Sequence, residues 1–219
     1  MHPDFHQQLQ AALTAAAKPE RAAGMRAYMR DQFRYLGVAT PDRRAALKPL
    51  LQSLKGCGAD ALLRTAAELW EWEEREYQYA ALDLLAMHWK ELRAEHIPAL
   101  LALVRKKSWW DTVDALAGII GDVLRHGHDE MDVALAHEDF WMRRIALLHQ
   151  LGWRGNTDSA RLFKYCVALA HEKEFFIQKA IGWALRDYAR HAPEEVRAFT
   201  QQHKDVLSSL SFREANKHL

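Results

Sequence analysis

The sequence predicts an all-α protein, a curved helical-repeat solenoid of helix pairs stacked side by side. Three observations carry that prediction. Apolar residues recur with helical period nearly end to end, and no segment shows the period of two that a half-buried strand requires. The periodic segments have helix length and are joined by short turns. Aromatic-led segments recur at Tyr77, Trp109, Phe140 and Phe175, in steps of 32, 31 and 35 residues. That period is near the range of helical repeats, whose pairs bury their apolar faces against neighbours and leave a concave surface.

In chain order, the first two helices, about 3–17 and 20–33, rest on periodicity alone. Thr40 as N-cap, with Pro41 at the first helical position, opens a helix over 41–54. Gly56-Cys57-Gly58 breaks the chain after Lys55, and helices follow at 59–70, 73–89 and 96–106. Ser108 and Asp111 read as a capping box for a helix over 109–125, since Ser-x-x-Asp can satisfy two backbone N–H groups. Helices at 130–137 and 139–151 follow, and Gly152 and Gly155 bracket the next turn. Helices over 158–171 and 174–191 come next. Pro193 opens the helix of Glu194 and Glu195, over 194–203, and the last runs over 209–218.

Size and charge bound the rest. The 219 residues are 49% hydrophobic, ample for a core, and no shift in composition divides them, so one continuous domain over 1–219 is expected. The 30 Lys+Arg against 29 Asp+Glu leave a net charge of +1, so any basic surface must come from local sorting of charges. Cys57 and Cys166 stand alone, which suits a reducing compartment. A polar start and the lack of an 18-residue apolar run point to an intracellular, cytoplasmic protein with no membrane partner. A solenoid with polar ends is expected to be a monomer.

Cofactor chemistry finds no support. His126-x-His128, beside Asp129 and Glu130, lacks the third ligand of a zinc motif and reads as a solvated turn. There is no phosphate-cradling glycine loop and no nucleophile elbow. An enzyme here would work with carboxylate, aromatic and basic groups, without metal or cofactor.

Three helices carry such groups. In Ser108-Trp109-Trp110-Asp111-Thr112-Val113-Asp114, Trp109, Val113, Leu116 and Ile120 form the core stripe. Trp110 and Asp114 share another face, four residues apart. They are either a rim tryptophan beside a solvated aspartate or a site for a cationic guest. In the helix of 174–191, Ile177, Ile181, Ala184 and Tyr188 make the apolar stripe. Lys179, Trp183, Arg186 and Arg190 line a second face, which is either a helix edge with solvated cations or a surface for an anionic backbone. Arg144 lies on a partly apolar line with Phe140, Leu147 and Leu151, so it must pair with an acid or reach a cleft. Arg143 points elsewhere, as a solvated cation. Arg154, in the glycine-flanked turn, is either a phosphate contact or plain surface. These groups fall in successive repeat units, so Trp110, Asp114, Arg144 and Trp183 are expected to converge.

Together these residues resemble the AlkD family of DNA glycosylases, which excise alkylated purines and are built of HEAT-like repeats. The resemblance covers nearly the whole chain. It begins at Met1-His2-Pro3 and runs through Ala27-Tyr28-Met29, Leu36-Gly37-Val38, Thr40-Pro41, Glu74-Arg75-Glu76 and Ala81-Leu82-Asp83. Its most specific blocks are Ser108-Trp109-Trp110-Asp111, with Val113-Asp114 behind it, and Phe175-Phe176-Ile177-Gln178-Lys179-Ala180-Ile181-Gly182-Trp183; Arg213-Glu214-Ala215 closes it. The resemblance implies a concave basic groove that takes double-stranded DNA carrying alkylated bases. It implies that Asp114 is the catalytic carboxylate, that Trp110 and Trp183 flank the damaged nucleotide's sugar and phosphate, and that Arg144 holds the backbone near the lesion. Tyr28 and Phe176 would line the groove, and Thr40, Arg44, Arg154, Lys179, Arg186 and Arg190 complete the expected DNA contacts. Two positions depart from the family pattern. Ala39 stands where members carry glutamine, and Gly152 where a lysine is expected, which implies weaker non-specific DNA affinity.

The implied chemistry suits these side chains. A purine alkylated on a ring nitrogen is cationic and leaves without a general acid, so one carboxylate suffices where glycosidases use two. That carboxylate would stabilise the oxocarbenium-like sugar and orient water. Neutral lesions such as uracil would be ignored, and no lysine stands out as a nucleophile, so the expected enzyme is monofunctional. The competing reading is a helical-repeat module that binds DNA or protein without chemistry, which has no need of Asp114.

Overall fold

Helices fill the computed structural model, which describes residues 4–125 and 127–219. Among these residues there are thirteen α-helices, three short 3-10 segments, one isolated bridge between Arg34 and Glu74, and no strand. The helices are α1 (Phe5–Ala16), α2 (Pro19–Tyr28), α3 (Thr40–Gln52), α4 (Ala59–Glu71), α5 (Arg75–Met87), α6 (Ile97–Val104), α7 (Trp110–Val123), α8 (Met131–Leu135), α9 (Phe140–Leu148), α10 (Ser159–Leu169), α11 (Phe175–Ala189), α12 (Pro193–Gln202) and α13 (Ser209–Ala215). Every helix expected from periodicity is present. The expected first turn at residue 3, the Met1-His2-Pro3 segment and His126 lie outside the described residues.

Helix ends differ from expectation where a backbone twist or a side chain intervenes. The helix predicted over 20–33 stops at Tyr28 because Arg30 and Asp31 take positive φ, 53° and 57°, and Asp31 N–H bonds back to the Arg26 carbonyl at 2.8 Å. The cap of α3 is Ala39, one residue before the expected Thr40, so Thr40 and Pro41 are the first two helical residues. The Ser108–Asp111 capping box does not form. Lys107 turns the chain at φ 49°, and the Ser108 hydroxyl donates to the Val104 carbonyl at 2.5 Å, so Trp109 becomes the N-cap. Asp111 still lies in the first turn of α7, where a carboxylate suits the helix dipole. Four helices of the second half carry true side-chain caps: Asp139 for α9, Asp158 for α10, Glu174 for α11 and Ser208 for α13.

The chain divides into two compact units, Met1–Ala99 and Leu100–Leu219. No glycine- or proline-rich linker marks the division, which falls inside α6. In the first unit α3 packs on α1 and α5, and α4 packs on α5. Glu76 is fully buried, and its carboxylate accepts the backbone N–H groups of Leu36, Gly37 and Val38 at 2.9–3.0 Å. That fixes the segment leading into α3. In the second unit α7, α9, α11 and α13 form a row, each against the next, while α8 packs on α9 and α10 on α11. Of the residues that lead the recurring aromatic segments, Tyr77 lies in the first turn of α5, Trp109 is the N-cap of α7, and Phe140 and Phe175 are the first residues of α9 and α11.

In the turn after α7, expected to be solvated, Asp129 and Glu130 are exposed, but His128 is half-buried against His149, the fully buried C-cap of α9. His128 Nδ1 lies 3.0 Å from His149 Nε2, and His149 Nδ1 donates to the Ala146 carbonyl at 2.8 Å. Trp153 packs on both rings and donates its indole N–H to Gly121. Burial of His149 lowers its pKa from 6.5 to about 4. Below pH 6.5 the unfolded chain binds a proton there that the folded chain refuses, so stability falls between pH 6.5 and about 4. The loss expected from His149 alone is about 3 kcal/mol. Urea unfolding at pH 7 and pH 5 is expected to capture about 2 kcal/mol of it, and His149→Gln is expected to flatten the difference.

Candidate active site

Three neighbouring helices of the second unit assemble one polar cluster. Asp114 sits on α7, one turn after Trp110, because Trp109 caps the helix and sets its phase. The stripe beneath it is core as expected, with Val113, Leu116 and Ile120 at 0% exposure, while Trp109 is half-buried against Trp141 and Phe176. Arg144, on α9, donates Nε to Asp114 Oδ1 at 2.7 Å and Nη2 to Oδ2 at 2.8 Å, a two-point bond matched to the carboxylate's shape. Its Nη1 donates to the Phe176 carbonyl in the first turn of α11. Three helices are thereby tied at one guanidinium.

Of the two readings of Arg144, the structure contains the ion pair. The Arg144 side chain is 1% exposed, so it offers no open face to a phosphate in this state, and its immediate role is to hold Asp114. Asp114 is 21% exposed and is the side of the pair that solvent reaches. Burial pushes its carboxyl above the usual carboxylate range, with Asp111 acting in the same direction, while the two bonds from Arg144 pull it back. The two bonds from Arg144 orient the carboxylate in a setting drier than water, where its field on a nearby charge is strong.

Trp183, on α11, borders the pair. The Arg144 guanidinium carbon lies 5.4 Å from the centre of its ring, and Lys179 Nζ also lies 5.4 Å from it. Lys179 and Arg186 share a face of α11 with Trp183 as expected, yet they are not loose cations. Both bond Glu214 of α13, at 2.9 and 2.8 Å. The apolar stripe opposite, from Ile177 to Tyr188, is buried.

The remaining predicted residues are placed as follows. Arg190 is exposed at the C-cap of α11. Arg154 is exposed in the turn after α9, at φ 60°, and the neighbouring Gly152 N–H donates to Asp187 at 2.8 Å. In the first unit, Tyr28 is 72% exposed at the end of α2, Thr40 is exposed at the start of α3, and Arg44 pairs with Asp83 at 3.1 Å. Arg143 corrects the expectation of a solvated cation. It grips Glu172 through Nε and Nη2 at 2.6 and 2.9 Å and donates to the His137 and Glu138 carbonyls. The structure thus brings Asp114, Arg144, Phe176 and Trp183 together, with Trp110 one turn away on α7. Sequence reasoning missed the Phe176 carbonyl and Glu214 as partners.

Comparison with known proteins identifies the family of the chain. A family model described as a DNA alkylation repair enzyme matches residues 9–219. A solved structure described as a predicted DNA alkylation repair enzyme from Enterococcus faecalis is 37% identical to this chain. It superposes with a TM-score of 0.86, over 93% of this chain and 96% of that one. No curated protein matches. The family's role is repair of alkylated DNA, which makes DNA the partner. Matched over all but its first eight residues, the chain belongs to the DNA alkylation repair enzyme family.

Proposed function

We propose that this protein is a monofunctional DNA glycosylase that hydrolyses the N-glycosidic bond of cationic alkylated purines, of the 3-methyladenine and 7-methylguanine type, in duplex DNA. The observation that carries the reading is the Asp114 carboxylate, held at two points by Arg144 beside Trp183 and still reachable from solvent. The ion pair ties three helices together in any case, but an oriented carboxylate open to solvent also suits stabilisation of a cationic sugar, which a protein that only binds DNA does not need.

The reaction follows from that arrangement. The bond between the sugar and the alkylated nitrogen breaks, and its electron pair neutralises the departing base. Positive charge passes to the sugar, and Asp114 stabilises it. Water then adds to the sugar carbon and gives up a proton, which Asp114 accepts. Trp110 and Trp183 pack against the nucleotide and add cation–π attraction, about 0.5–2 kcal/mol each. Trp183 already has two protein cations near its ring, which places its share at the low end. Lys179, tied to Glu214, is not presented as a nucleophile, in keeping with a reaction that leaves the sugar–phosphate backbone uncut. Tyr28 lines the groove, Thr40, Arg44, Arg154 and Arg190 are the expected DNA contacts, and the protein acts as a monomer.

Incubation with methylated duplex DNA tests the reading through release of free 3-methyladenine or 7-methylguanine. Binding without any released base would reject it in favour of a non-catalytic module.

A further inference from the structure

Glu214 has no place in the chemistry above, yet it is built firmly into the molecule. Its helix, α13, approaches α11 so closely that a Cβ added at Gly182 would lie 2.4 Å from the Glu214 Cβ. The Ser211 hydroxyl reinforces the approach by donating to the Gln178 carbonyl at 2.8 Å. The carboxylate thus delivered splits its oxygens, Oε1 to Lys179 and Oε2 to Arg186. Those two cations lie seven residues apart on α11 with Trp183 between them, and Trp183 borders the Arg144–Asp114 pair. Lys179 is 23% exposed, Arg186 22% and Glu214 14%, so the group is open at its rim.

A DNA phosphate presents what this carboxylate presents, a single negative charge shared over oxygens that accept from Lys and Arg. We propose that Glu214 is an internal stand-in for a backbone phosphate: it holds Lys179 and Arg186 in the DNA-free protein and competes with DNA for them. The two cations are then pre-positioned beside Trp183 yet contribute little attraction until a phosphate displaces the carboxylate. Glu214 thereby limits retention on undamaged DNA. The inference rests on the proposed function only in seating DNA beside Trp183.

Binding of a labelled undamaged duplex as a function of salt provides the test, since it involves no base release. Glu214→Gln removes the competing charge and keeps the side-chain size. It is expected to bind about three- to tenfold tighter at low salt, and to steepen the slope of log K against log salt by about one to two, one phosphate contact contributing about 0.9. The gain is expected to vanish when Glu214→Gln is made in a Lys179→Ala, Arg186→Ala background. Glu214→Asp keeps the charge and is expected to stay near the original affinity, which separates competition from loss of helix docking. Unchanged affinity and slope in Glu214→Gln, with only a lower melting temperature, would overturn the proposal and leave Glu214 as a docking residue. A steeper slope in a protein that releases no base would retain this inference and reject the glycosylase.

Discussion

Asp114→Asn is expected to slow base release from methylated duplex DNA by about 10²–10³-fold, the cost typical of removing one preorganised electrostatic group. Asparagine has the same shape and retains one oxygen for Arg144, but no net charge to set against a sugar becoming positive. The loss therefore falls on the chemical step, and single-turnover release under saturating protein reads it apart from binding. A second effect accompanies it. Arg144, 1% exposed, would face an amide where it had a carboxylate, and breaking a buried pair costs about 3–5 kcal/mol. Circular dichroism at the assay temperature ensures that slow release reflects chemistry in a folded protein. Release at the original rate by the folded variant would remove Asp114 from the reaction.

Arg144→Ala is expected to be nearly as damaging, for a different reason. It leaves the charge of Asp114 in place but removes both bonds that orient it, together with the tie to the Phe176 carbonyl. Burial and Asp111 already push the Asp114 carboxyl upward, and Arg144 is the group that opposes them. Without it the pKa rises further, so a larger fraction of Asp114 is protonated at any mildly acidic pH. The acidic limb of the pH–rate profile is expected to move to higher pH, with activity partly regained as pH increases. Arg144→Lys keeps the charge but offers no two-point grip, and its limb is expected to lie between the two. Stability falls as well, by about 3 kcal/mol, because α9 loses its link to α7 and α11. An unmoved limb in Arg144→Ala would show that the pair does not set the state of Asp114.

The helices were legible because each writes its own period of 3.6 into the chain, and the recurring aromatics fall at or near the starts of α5, α7, α9 and α11. Caps were less legible, since a single positive-φ residue such as Lys107 moves the start of a helix and redirects Ser108 to another carbonyl. Trp110, Asp114, Arg144 and Trp183 could be singled out because each breaks the pattern of the helix that carries it. Their pairings could not be read locally. Arg144 meets Asp114 across 30 residues, Arg143 meets Glu172 across 29, and Lys179 meets Glu214 across 35. Those separations are close to the repeat steps of 31 to 35 residues. Lys179 and Glu214 lie on α11 and α13, helices that pack together, while Glu172 meets Arg143 from the segment just before α11. His149 offered no such spacing. Its partner His128 comes from a turn, and only the fold reveals its burial.

The preference of Asp114, fixed by Arg144, for a sugar bearing positive charge underlies the proposed reaction. It is tested most directly with duplexes carrying an abasic-site analogue in two forms, a cationic pyrrolidine ring and a neutral tetrahydrofuran ring of the same size. A site complementary to the charged transition state binds its mimic more tightly than a neutral counterpart. The original protein is expected to prefer the cationic ring by about tenfold or more, and Asp114→Asn to bind both alike. Equal affinity of the original protein for the two rings, or a preference that persists in Asp114→Asn, would contradict the account.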